Sequence, residues 1–196
     1  MIHQIKSVGE QMKQRVLLIL LFFYSFIAAA DDTVLKLYRP FGEGEHNTPV
    51  ITQQLQGQCD AQSKLILRED AWRCQADGKT FDPCFAKSGP KQTSLLCPSS
   101  PWSKDNIQIN VTSPLINEEH QALDMSRTFP WAIELVNGDH CQAVELGKDY
   151  DSMPIRYHCV SSNVLLGTIQ RCNPLWSMLE KTQEGVVTRD LKQAWF

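Results

Sequence analysis

Ile107, Ile109 and Val111 alternate with polar residues up to Pro114, the period-two pattern of a strand with one buried face. The same reading predicts a strand over residues 131–136, ending at Asn137-Gly138, with a return over 141–146. Residues 155–160 and 164–166 form a second predicted hairpin about 161–163, and 175–180 and 186–188 a third across 183–185. Further upstream, residues 63–68 read as a short strand, followed by Ala71-Trp72-Arg73-Cys74. Asp77-Gly78 then supplies a hairpin turn, with a return over 79–81. Residues 34–37 alternate weakly. Residues 39–49 (RPFGEGEHNTP) lack apolar periodicity and read as a linker or exposed arm. Only 118–126 and 188–196 look helical. Many short strands with turn signals between them predict a mainly β fold, a small disulfide-stapled sandwich or roll with short helices.

The N-terminal pattern is different. Lys6, Lys13 and Arg15 precede an uncharged run, residues 16–30, that ends in Ala28-Ala29-Ala30. A basic start, a short apolar run and small residues at a cleavage site are the parts of a secretory signal. As a helix, fifteen residues span only about 22 Å, short of the roughly 30 Å hydrocarbon core that a retained anchor has to cross. Residues 1–30 are therefore expected to be removed, with no stable membrane span remaining. The expected organisation is a signal at 1–30, a strand and Gly/Pro-rich arm at 31–56, and one disulfide-bonded β-rich domain at 57–196.

Composition narrows the function classes. The 196 residues carry a net charge of −3. Beyond residue 30 there are 16 basic against 21 acidic residues, a net −5. That balance argues against nucleic-acid binding and against a polybasic membrane surface.

All seven cysteines lie beyond the signal: Cys59, Cys74, Cys84, Cys97, Cys141, Cys159 and Cys172. Export favours disulfides. Local pairing (Cys59–Cys74, Cys84–Cys97, Cys141–Cys159) closes loops worth roughly 3 kcal/mol each. A crossed alternative, Cys59–Cys84 with Cys74–Cys97, stays open. Cys172, beside the Asn173-Pro174 turn signal, is the expected odd cysteine, either a buried thiol or an intermolecular link. Zinc sites pair ligands two to four residues apart, and the chain has no Cys-x-x-Cys. Its two His-Cys dipeptides, His140-Cys141 and His158-Cys159, send adjacent side chains to opposite faces of a strand. No metal and no cofactor is expected.

Catalytic motifs are missing as well. There is no Gly-x-Ser-x-Gly, no His-Glu-x-x-His, no phosphate-cradling glycine loop and no dinucleotide fingerprint. Asp70, Asp77 and Asp82 could supply a carboxylate pair for glycoside hydrolysis, against the simpler reading that they bond local turns. No catalytic residue is assigned. Trp72, Trp102, Trp131 and Trp176 sit beside proline or cysteine or within two residues of one, and are expected to pack over disulfides in the core; the alternative is an exposed docking platform. Trp195-Phe196, two aromatics at the C-terminus, are the expected partner contacts, together with the arm at 39–49.

Several short motifs occur in a fixed order: Arg68-Glu-Asp-Ala-Trp-Arg-Cys74, Asp82-Pro-Cys-Phe85, Cys97-Pro-Ser-Ser-Pro-Trp102, Pro130-Trp-Ala132 and Asn137-Gly-Asp-His-Cys141. Cys59 precedes this series, and Tyr157-His-Cys159 follows it. Over about residues 57–178 the chain resembles a family of small exported bacterial cysteine-rich proteins with no assigned activity. The resemblance implies six paired cysteines with Cys172 as the extra one, and lends no catalytic residue. The expected function is a periplasmic or secreted, non-enzymatic protein that binds envelope protein partners, as an accessory subunit of an outer-membrane or secretion assembly. The alternatives are an envelope hydrolase using the Asp cluster and a secreted effector or inhibitor.

Overall fold

A computed structural model describes residues 32–42, 49–87, 89 and 92–196. The predicted signal and the middle of the arm, 43–48, lie outside the described residues. The described chain is mainly β and folds into two small closed barrels within one compact unit.

The first barrel is a meander of five strands: β2 (Val50–Gln62), β3 (Ala71–Ala76), β4 (Lys79–Ala86), β5 (Ser94–Pro98) and β6 (Asp105–Val111). Each strand runs antiparallel to the one before it, so an odd number leaves the first and last pointing the same way. β2 and β6 accordingly close the barrel in parallel. β2 manages this by changing partners along its length. Residues 50–57 pair with β6 and residues 57–62 with β3. The crossover falls at Gly57, where a Cβ atom would stand 2.5 Å from the Gln75 carbonyl oxygen and 2.9 Å from Ile109 Cγ2. Only glycine fits between the two neighbours. At the β3–β4 hairpin, Asp77 and Gly78 both take positive φ (49° and 69°), the two-residue turn their sequence predicts.

The second barrel has six strands: β7 (Ala132–Leu135), β8 (His140–Ala143), β10 (Met153–Cys159), β11 (Val164–Gln170), β12 (Ser177–Lys181) and β13 (Val186–Trp195). An even number closes antiparallel, through β13 and β7. Two short strands hang on this ring: β1 (Val34–Lys36) pairs parallel with β13, and β9 (Asp149–Tyr150) pairs with β10. The three hairpins predicted from the sequence after residue 130 are the β7–β8, β10–β11 and β12–β13 pairs.

Several expectations need correction. No helix occurs among the described residues. Residues 188–196 belong almost wholly to β13. Leu191, Ala194 and Trp195, spaced like a helix face, are buried because the pairing with β7 shifts register between Leu191 and Gln193. The bulge inserts one residue, and a bulged strand then imitates helical spacing. Residues 118–126 are held by side chains instead of helical hydrogen bonds. The Gln62 amide bonds both the N–H and the carbonyl of Gln121, and Glu69 Oε2 accepts from Leu123 N–H. Residues 63–68 are a turn, not a strand, because Ser63 Oγ accepts from the N–H groups of Leu65 and Ile66. The expected domain boundary at 56/57 falls inside β2.

Between the barrels lies a third core, rich in aromatics. Ile66 and Phe85 from the first barrel side meet Trp131, Trp195 and Phe196, with Tyr38, Trp102 and Trp176 packed against them. Tyr38, Phe85 and Trp131 stand within 5.2–5.9 Å of one another, ring to ring, and Trp102 meets Trp195 edge-on at 5.0 Å. Such tilted contacts suit the aromatic quadrupole.

Candidate functional site

The six expected cysteines form the three local bonds, Cys59–Cys74, Cys84–Cys97 and Cys141–Cys159. Each links neighbouring strands. Cys59 faces Cys74 across β2–β3, and Cys141 faces Cys159 across β8–β10. Their Cα separations of 3.9–4.1 Å mark the close pairs of an antiparallel ladder. The sulfurs of Cys74, Cys84 and Cys97 lie within 4.8 Å of one another, as do the ligand atoms of Asp139, Cys141 and Cys159. These clusters look like metal sites, but every sulfur in them is already committed to a disulfide, Cys74 to Cys59, Cys84 to Cys97 and Cys141 to Cys159. His140 stacks on Trp102 at 4.0 Å, while His158 is exposed. Cys172 is free and exposed, contrary to a buried thiol.

Trp195 and Phe196, expected as partner contacts, are core residues instead. Phe196 is fully buried and Trp195 nearly so. The main chain of Phe196 continues the sheet, donating to Lys36 O and accepting from Tyr38 N–H. Arg68, also buried, clamps this end: one terminal nitrogen donates to Tyr38 O (2.7 Å) and Phe196 O (3.1 Å). Its other nitrogens meet both oxygens of Asp70. Burial without an electrostatic counterweight pushes the Tyr38 hydroxyl up to about 12. The tryptophans therefore form core and not a platform, since Trp72 and Trp131 are each 2 % exposed and Trp102 and Trp176 are half-buried.

The three aspartates do not assemble. Asp70 and Asp77 flank opposite ends of β3, about 20 Å apart for a strand of this length. Asp82 is half-buried on β4 with its side chain only 6 % exposed, accepting from Ser63 Oγ and from Lys64 N–H. Burial is the main effect on its carboxyl and raises it above the ordinary carboxylate range, although these hydrogen bonds and Arg73 act the other way. Arg73 pairs with both Asp82 and Glu145, tying β4 to the segment after β8.

One stretch of main chain keeps unused hydrogen-bonding capacity. Residues 50–56 of β2 pair with β6 on one edge, and no described strand occupies the other. The Gly57 carbonyl accepts from Thr112 N–H on the β6 side. By strand alternation, the N–H and C=O groups of Gln56 and Gln54 face the open edge. Val50 and Ile51 are exposed, and the segment VITQQLQ carries no charge and no proline. The other short strands at sheet margins, β1 and β9, have three and two residues. Brevity is a usual protection for an edge; β2 has none. Strand periodicity did not reveal this feature, because an open edge depends on which neighbour is missing.

No helix among the described residues is long and apolar enough to cross a membrane. No protein-family model matches the chain, and no curated protein or solved structure matches it.

Proposed function

We propose that the chain is an exported, non-enzymatic binding protein of the bacterial cell envelope, an accessory subunit of an outer-membrane or secretion assembly. The open edge of β2 carries this reading. Seven residues of uncharged, two-faced strand, about 23 Å long, suit an extended segment of a protein partner that adds as a further strand. Main-chain hydrogen bonds then supply affinity, and the exposed Val50 and Ile51 supply side-chain contacts. The arm at 39–49, expected to make contact, leads directly into this edge. Three disulfides fit a non-reducing compartment. The family resemblance agrees with an exported protein that has no assigned chemistry.

The test is capture of the chain with its partner from its own cells, by mild crosslinking and mass spectrometry, for the wild type and Gln54→Pro. Proline removes an N–H that faces the open edge and costs no bond to β6. The expected result is an envelope protein retained by the wild type and lost by the variant, with slowed amide exchange at residues 50–56 in the complex. Retention by the variant, or unchanged exchange at those residues, overturns the reading.

A further inference from the structure

A cavity of about 210 Å³ opens between the two barrels and shares no lining residue with the open edge of β2. Its walls are apolar: Leu65 and Ile66 from the turn after β2 on one side, Phe129, Val144 and Leu146 on the other. Three cationic residues line it, Lys64, Arg127 and Arg156, and no acidic one does. Lys64 pairs with Glu145 and Arg127 with Asp124, while Arg156 has no acidic partner among the described residues. Glu145, between Val144 and Leu146 in sequence, is held in ion pairs with Arg73 and with Lys64 at the cavity edge and does not itself line the cavity.

Arg156 is held in place before any ligand arrives. Its Nε donates to the Gly167 carbonyl at 2.6 Å, and its guanidinium lies 3.9 Å from the centre of the Phe129 ring. Phe129 is backed by Arg171 at 5.8 Å, whose two terminal nitrogens bond Ser126 O and Thr128 O. Neither terminal nitrogen of Arg156 has a partner among the described residues. A fixed guanidinium with two spare donors matches the fork geometry of a carboxylate. The exposed Lys64 and Arg127, each in a loose 3.7 Å ion pair, add long-range attraction.

We infer that this cavity binds a carboxylate carried on a compact apolar group, with Arg156 gripping the carboxylate and the walls enclosing the apolar part. The volume is below the roughly 300–1,000 Å³ of drug-sized sites and equals about seven waters, so the apolar part is the size of one aliphatic or aromatic side chain. Such a group is found on a small free acid or at the C-terminus of a peptide.

Titration of the disulfide-intact chain, followed by amide NMR shifts, tests this with three probes: N-acetyl-leucine, N-acetyl-leucinamide and a peptide ending in leucine with a free carboxylate. The free acid is expected to bind with a Kd between about 0.1 and 5 mM, shifting residues that line the cavity, and the amide to bind at least about tenfold more weakly. Tighter binding of the peptide names a peptide C-terminus as the source, and binding of the small acid alone names a free acid. Arg156→Gln is expected to weaken binding at least about tenfold. Leu146→Glu, at an exposed wall position that makes no contact in the core clusters, places a competing carboxylate there and is expected to abolish binding. No shift for either acid up to about 10 mM, equal binding of the amide, or survival of binding in Leu146→Glu overturns the inference.

Discussion

The two barrels solve the problem of filling a closed sheet in different ways. Of the nine buried residues at the heart of the five-stranded barrel, four are half-cystines, joined by Trp72, Ala76, Ala86, Leu95 and Ile109. The six-stranded barrel has one disulfide among Ile133, Leu135, Tyr157, Leu165, Met178 and Leu191. A barrel of fewer strands encloses less room, and compact sulfur pairs with alanines fit where larger aliphatic side chains do not. In the narrow barrel the cross-links are also the filling. In the wider one, aliphatic side chains fill the centre, and the buried Glu180, held by Arg189 at 2.7 Å and Asn163 at 2.9 Å, lies on the same face of β12 as Met178.

The strongest test of this contrast is to remove the sulfur. Replacing Cys59, Cys74, Cys84 and Cys97 by alanine removes about 6 kcal/mol of loop constraint, roughly 3 kcal/mol per bond. That is comparable with the whole stability of a typical domain. β2–β6 should then exchange their amides as an unfolded segment, whereas Cys141→Ala with Cys159→Ala should leave β7–β13 protected at a lower Tm. Equal loss in the two barrels would break the comparison. Next in size is Phe196→Ala, which empties a fully buried site in the core that joins the barrels. A loss of about 3–5 kcal/mol is expected by denaturant titration, with amide protection falling on both sides of that core. Gly57→Ala should cost about 1–3 kcal/mol through overpacking, and its damage should be confined to the β2–β3 and β2–β6 ladders in hydrogen exchange.

The smallest effect is a pH dependence. Asp82 has a carboxyl pKa raised in the folded chain, chiefly by burial. Between the unfolded value near 3.8 and the raised folded value, the folded state binds more protons, so stability falls as pH rises through that window. The contribution is complete below the unfolded value and is lost above the folded one. Asp82→Asn should flatten this part of the stability-versus-pH curve, measured by denaturant titrations from acid to neutral pH. A slope unchanged by the substitution would assign it to other groups.

Local chemistry made part of this legible in the sequence. Asp77-Gly78 and Asn137-Gly138 mark hairpins because few other residues fit such turns. Consecutive cysteines suggested the pairing because each pair is separated by only 13–18 residues. Closure was not legible, since β2 and β6 meet across more than fifty residues of chain and nothing in either strand names the other. The bulge near Lys192 turned a strand into an apparent helix. The cavity escaped for a similar reason. Arg156 and Phe129 carry meaning only when stacked, and they are 27 positions apart.

The disulfide connectivity has a consequence in time. A chain delivered N-terminus first exposes its cysteines in the order 59, 74, 84, 97, 141, 159, 172. Each bond joins a cysteine to the next one to emerge, so an oxidant that simply couples successive thiols reaches the final pattern without rearrangement. On that route Cys172 emerges after each of the six earlier thiols has met its partner. Its exposed position is the natural place for the cysteine that comes last.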